Sequence, residues 1–152
     1  MQTQKNGSTN YQIKHLTRFD RTYAALVKKH YRKNAKAKEE FEQVIADYKK
    51  ELEINPCSDS VSDAEPFPAN TAEPDFDFRK KRWRRLPGLQ GAARLGRLLF
   101  IVCRSRKTVY LMWIYTHAEY QEPNSRPSDK ELKAEINLLK EEIAQETDIE
   151  DS

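Results

Sequence analysis

Apolar residues along this chain switch between periods of two and of three to four, and the switches divide it into elements. Tyr11, Ile13 and His15 alternate with Gln12, Lys14 and Leu16, which predicts a short edge strand. Phe19, Tyr23, Leu26, Val27, His30 and Tyr31 then recur at helical spacing, with Asp20 as the expected N-terminal cap. A second stripe, Phe41, Val44, Ile45, Tyr48 and Leu52, predicts a helix that stops at Asn55 and Pro56. The short polar stretch RKNAKAK between them predicts an antiparallel helical hairpin.

Residues 56–78 lack apolar periodicity and are rich in Ser, Asp, Glu and Pro, so they read as a loose acidic linker. Pattern resumes in a charged segment around Trp83, a turn PGLQG, and the run RLGRLLFIVC from Arg94 to Cys103. SRK then makes a tight turn into TVYLMWIYT. Both runs are apolar on both faces, as strands central to an antiparallel sheet are. After the break from Pro123 to Pro127, Ser128 and Glu131 form a capping-box pattern, and Leu132, Ile136, Leu139 and Ile143 stripe a last helix. The expected fold is α+β: an antiparallel sheet of about four strands, an N-terminal helical hairpin and a C-terminal helix, with the helices against one face. Residues 1–10 read as a disordered N-terminus, 11–146 as one domain interrupted by the 56–78 insertion, and 147–152 as an acidic tail.

Length and composition agree with a single wet domain. The 152 residues are 34% charged and 38% hydrophobic. No apolar run approaches the roughly 18 residues of a membrane helix, and the polar start lacks the apolar segment of a secretory signal, so a cytoplasmic protein with no membrane partner is expected. Cys57 and Cys103 show no ligand-like spacing, which argues against a disulfide framework or a zinc site; no metal or cofactor is expected.

Charge changes the picture more through its placement than its net value of +3. From Arg79 to Lys107 the chain carries 11 Lys and Arg and no Asp or Glu. The preceding linker holds Asp59, Asp63, Glu65, Glu73, Asp75 and Asp77 with no cation. One block therefore suits an anionic partner.

Within that block Arg97 alternates in line with Leu95, Leu99 and Ile101. It is either snorkelling at a strand end or held for a phosphate, whose oxygens suit its planar fork. Arg94 is a second candidate phosphate contact. Lys80, Lys81, Arg82, Arg84 and Arg85 form a basic run that suits an RNA backbone, with Lys81 and Arg84 favoured. His117 falls in register with Val109, Leu111, Trp113 and Tyr115 if the strand runs on, and is either a proton-transfer group or a strand-end cap. Tyr120 can stack on a base or fix the loop to the last helix. A lone Glu119 in a loop is more often solvated than catalytic. His15 and His30 fit the structural pattern of their elements, and Trp83 and Trp113 read as core anchors.

The order of these elements, with FDRTYAALVKKHY, RWRRLPGLQGAARLGRLLFIV and VYLMWIYTHAEY at its three best-matched places, resembles the RelE/ParE superfamily of toxins from type II toxin–antitoxin pairs. The resemblance covers roughly residues 11–143. It implies a compact toxin neutralised by a cognate antitoxin protein. In the RelE-like branch, which the side chains favour, it implies a metal-independent endoribonuclease that cuts mRNA, commonly on the ribosome. The ParE-like branch implies instead a non-enzymatic toxin or binding module. On the nuclease reading Arg97 and Arg94 hold the scissile phosphate, His117 handles a proton, Lys81 contributes charge or acts as base, and Tyr120 positions the nucleotide. Gln121 stands where one nuclease branch has an aromatic residue, and the acidic insertion is a second departure.

Overall fold

The computed structural model describes residues 10–120 and 125–151. Most of the expected loose N-terminus lies outside them, as do Gln121 and Pro123. Strand β1 (Gln12–His15) leads into helices α1 (Thr17–His30) and α2 (Ala35–Ile54). Strands β2 (Asp63–Ala64), β3 (Phe76–Trp83), β4 (Gly96–Cys103) and β5 (Thr108–Thr116) follow, and α3 (Asp129–Asp151) closes the order. Short 3-10 turns at Gly91–Arg94 and His117–Glu119 flank β4 and follow β5. The expected acidic tail is thus the end of α3, as far as Asp151.

Local signals explain most of these boundaries. Asn34 caps α2 by accepting from the Ala37 amide (3.0 Å), and Ala37, Phe41, Ile45, Tyr48 and Leu52 are its buried stripe. Ser128 and Glu131 form the expected reciprocal cap of α3, each main-chain N–H donating to the other's side chain at 3.1 Å. The cap expected of Asp20 is not made. Leu16 holds the N-cap position, and Asp20 lies inside the first turn, 3.0 Å from His15 Nδ1.

The sheet corrects three expectations. It has five strands in the order β1-β5-β4-β3-β2 and is mixed, because β1 runs parallel to β5 while the other pairs are antiparallel. Helices cover both faces rather than one. Leu98, Phe100, Val102, Val109, Leu111 and Ile114 pack in the same core as α1 and α2, whereas Leu99, Ile101, Tyr110, Met112, Trp113 and Tyr115 pack with Leu132, Ile136 and Leu139 of α3. Two buried faces are the reason β4 and β5 read as unbroken apolar runs. Finally, the register slips between Leu99 and Phe100, which pair with Trp113 and Leu111, leaving Met112 as a bulge. Beyond it the odd-numbered residues change face, so Trp113 and Tyr115 share the α3 side while Val109 and Leu111 face the helical hairpin.

The acidic segment is also not loose. Buried Arg79 donates from Nε to Ser62 Oγ (2.8 Å) and from Nη2 to the main-chain oxygens of Ser62 (2.7 Å) and Cys57 (3.1 Å). Ser62 Oγ in turn donates to the Pro56 carbonyl at 2.7 Å. Phe67 packs on Phe78, and Glu73 reaches Lys140 of α3 at 3.3 Å. Composition misleads here because one buried guanidinium satisfies main-chain oxygens that a solvated linker would leave to water.

Removing that guanidinium strands several of those acceptors. Arg79→Ala is expected to cost about 2–4 kcal/mol in urea unfolding. A loss within about 0.5 kcal/mol, the range of ordinary surface substitutions, would show that the segment is not anchored through Arg79.

Candidate nucleic-acid interface

The candidate residues gather at the end of the sheet where β3 and β5 finish and β4 begins. Arg97 stands opposite Arg82 on β3 and Tyr115 on β5, so the three share the α3 face in one row. The Arg97 guanidinium donates from Nη1 to the carbonyls of Gly96 (2.8 Å) and Trp83 (3.4 Å) and has no carboxylate partner among the described residues. Burial lowers its pKa; Tyr115 opposes that shift, and the like charge of Arg82 adds to it. Burial pushes the Tyr115 phenol up to about 12, with Glu65 adding and Arg97 opposing. A half-buried cation beside a second cation is a place where a bound anion offsets unfavourable electrostatics.

Tyr120 lies beside that row, against Tyr115. Its ring meets Tyr115 edge-on at 5.3 Å, and its hydroxyl accepts from Trp113 Nε1 at 3.1 Å. Arg126, not singled out from the sequence, is close enough to Tyr115 to influence its ionisation, though it pairs with Asp129.

His117 does not continue the strand. The bulge and the end of β5 at Thr116 defeat the simple alternation, and His117 opens a 3-10 turn whose N–H donates to the Leu95 carbonyl at 3.1 Å. Glu119 holds that turn. Its Oε1 accepts from the Thr116 amide and hydroxyl, both at 2.8 Å, while Oε2 lies 2.9 Å from His30 Nε2 and 3.4 Å from Lys29 Nζ on α1. The solvated reading of Glu119 is therefore corrected to a structural clamp, recognisable in sequence only as Thr116 three residues before a Glu.

The other basic candidates separate. Lys81 lies on the opposite face of β3 from Arg97, its Nζ 5.2 Å from the centre of the Tyr48 ring and 5.7 Å from that of Trp83. Lys80 and Arg82 are on the Arg97 face but reach acidic residues of the 56–78 segment, Glu65 at 3.2 Å and Asp63 at 3.6 Å. Arg94 donates to Gly91 O (3.1 Å) in its own turn. Arg84 and Arg85 are exposed just past β3, with no carboxylate partner among the described residues. Strand alternation separated the two sets, but which of them faces Arg97 depended on the register with β4.

Burial raises the Glu119 pKa, but hydrogen bonds from His30 and Thr116 outweigh it and hold the group below its ordinary 4.5. Its contribution to stability is thus present above the unfolded value and is lost as pH falls through the lower folded one. Glu119→Ala is expected to cost about 1–2 kcal/mol near pH 7, and that penalty to shrink below about pH 4 in denaturation series. A penalty unchanged between pH 7 and pH 3 would contradict an ionised clamp. Comparison with known protein families, with curated proteins and with solved structures found no match.

Proposed function

We propose that this chain is the toxin of a toxin–antitoxin pair and acts as a metal-independent endoribonuclease on mRNA. The observation that carries the reading is Arg97: a half-buried guanidinium without a carboxylate partner among the described residues, beside Arg82 and Tyr115, at the strand end next to the turn that His117 opens after β5. Ribosome association and neutralisation by a cognate antitoxin enter with the resemblance of the sequence to RelE-like toxins.

The chemistry asked of these groups is limited. The 2′-oxygen of the RNA attacks the adjacent phosphorus, the bond to the 5′-oxygen breaks, and the products are a 2′,3′-cyclic phosphate and a 5′-hydroxyl end. Arg97, with Arg82, offsets the charge that builds on the phosphoryl oxygens. His117 takes the 2′-proton or supplies one to the leaving 5′-oxygen. Tyr120 offers aromatic surface to the nucleotide. Lys81, on the other face, is left to bind backbone rather than act as base.

That position of Lys81 also favours a second reading, a non-enzymatic toxin or binding module working through the same cations. Growth and mRNA 5′ ends in cells expressing wild type, His117→Ala and Arg97→Ala separate the two. Wild type is expected to arrest growth with new 5′-hydroxyl ends, and each substitution to lower cleavage by roughly 10²-fold or more. Arrest without new ends assigns the protein to the second reading, and undiminished cleavage by His117→Ala removes that residue from the mechanism.

A further inference from the structure

The turn joining α1 and α2 carries a second concentration of positive charge. Residues 28–38 contain Lys28, Lys29, Arg32, Lys33, Lys36 and Lys38, all exposed, and no Asp or Glu. Lys29 reaches Glu119; the other five have no carboxylate partner among the described residues. Lys28 and Lys29 suit the C-terminal end of α1, but Lys36 sits in the first turn of α2, where the helix end is itself positive and no acidic residue is present. That placement is unfavourable for the helix alone, and it deepens the positive potential outside it.

The turn is locked to the end of the sheet that carries the candidate site. Tyr31 Oη donates to the Pro87 carbonyl at 2.8 Å. Gly88, at φ +70°, approaches α2 so closely that a Cβ would come within 2.7 Å of the Ala37 methyl. The same 86–90 loop returns to the site through the Leu86 N–H, which donates to the Arg94 carbonyl at 2.8 Å. On the other side, Lys29 and His30 clasp Glu119 of the His117 turn. These contacts tie the hairpin turn to the loop that follows the exposed Arg84 and Arg85 and to the His117 turn, at the end of the sheet where β4 begins.

We propose that the α1–α2 turn, extended by Arg84 and Arg85, is a second RNA-contact surface that holds backbone phosphates beyond the scissile one. It rests on the ribonuclease reading for the identity of its ligand. A polyanion fits better than an acidic protein, because the two large hydrophobic side chains exposed among the described residues, Ile54 and Leu138, both lie outside the turn and the 84–94 loop. Protein interfaces centre on apolar and aromatic anchors, whereas backbone binding needs only spaced cations that release counterions.

The test measures binding of the full chain to fluorescent 2′-O-methyl RNA, which lacks the attacking hydroxyl, at lengths of about 4 and about 16 nucleotides across a salt series. The longer RNA is expected to bind at least about tenfold tighter at low salt. Arg32→Gln/Lys33→Gln/Lys36→Gln is expected to abolish that advantage and lower the slope of log K against log salt by about 2, with little effect on the short RNA. Arg97→Gln is expected to weaken both lengths. Lys36→Glu, which complements the helix end, is expected to raise the thermal midpoint while weakening the long RNA, so lost binding is not lost folding. An unchanged length advantage and salt slope in the triple variant would overturn the proposal, as would displacement of the RNA by polyglutamate at equal charge. A length effect that depends on the turn, in a protein that leaves no new mRNA ends in cells, supports this surface and sinks the nuclease reading alone.

Discussion

The pairing of β4 with β5 is the constraint to which the other elements answer. Both strands are almost wholly buried, and their side chains supply the two cores that lie on opposite faces of one sheet. Neither face can be left to water, so α1 and α2 close one and α3 the other. The bulge at Met112 decides which residues of β5 enter which core, because it puts Met112 and Trp113 together on the α3 side and returns Ile114 to the hairpin side. Polar chemistry is excluded from the middle of these strands and collects where they end.

Charge is organised by the same geometry. The acidic 56–78 segment lies along β3 and matches its cations, with carboxylates near Arg79, Lys80 and Arg82, and Asp77 paired to Arg104. An interval that is purely basic in sequence is therefore much less basic along that edge. Arg84, Arg85 and Arg97, and all but Lys29 of the cations in the helical turn, keep no carboxylate partner among the described residues. A basic run is thus weak guidance until its carboxylates are placed, since exposed pairs add little stability but do cancel the local field.

Individual residues show how much of this was legible. The stripe on α2, the Ser128 and Glu131 cap and the two apolar strands follow from rules that operate within a few residues, and they stand as read. Asp20 and His117 went differently. Asp20 has the right chemistry for a cap, but the chain enters α1 directly from β1, putting Leu16 at the cap and Asp20 inside the helix. The alternation that puts His117 in register with Val109 and Leu111 is broken by a bulge that only the β4 register reveals. The Glu119 clamp joins residues 89 positions apart, so no local pattern announces its His30 half.

By itself, the sequence determined the periods of the helices, the doubly apolar strands, the segregation of charge and the presence of an arginine and a histidine at strand ends. These depend on spacing and composition, which are local quantities. Only the tertiary structure decided that β1 runs parallel to β5, that the helices take both faces, that Lys81 lies across the sheet from Arg97, and that the acidic segment offsets one set of cations and leaves another open. Those outcomes are set by register and by long-range pairing, where a shift of one residue exchanges the two faces of a strand.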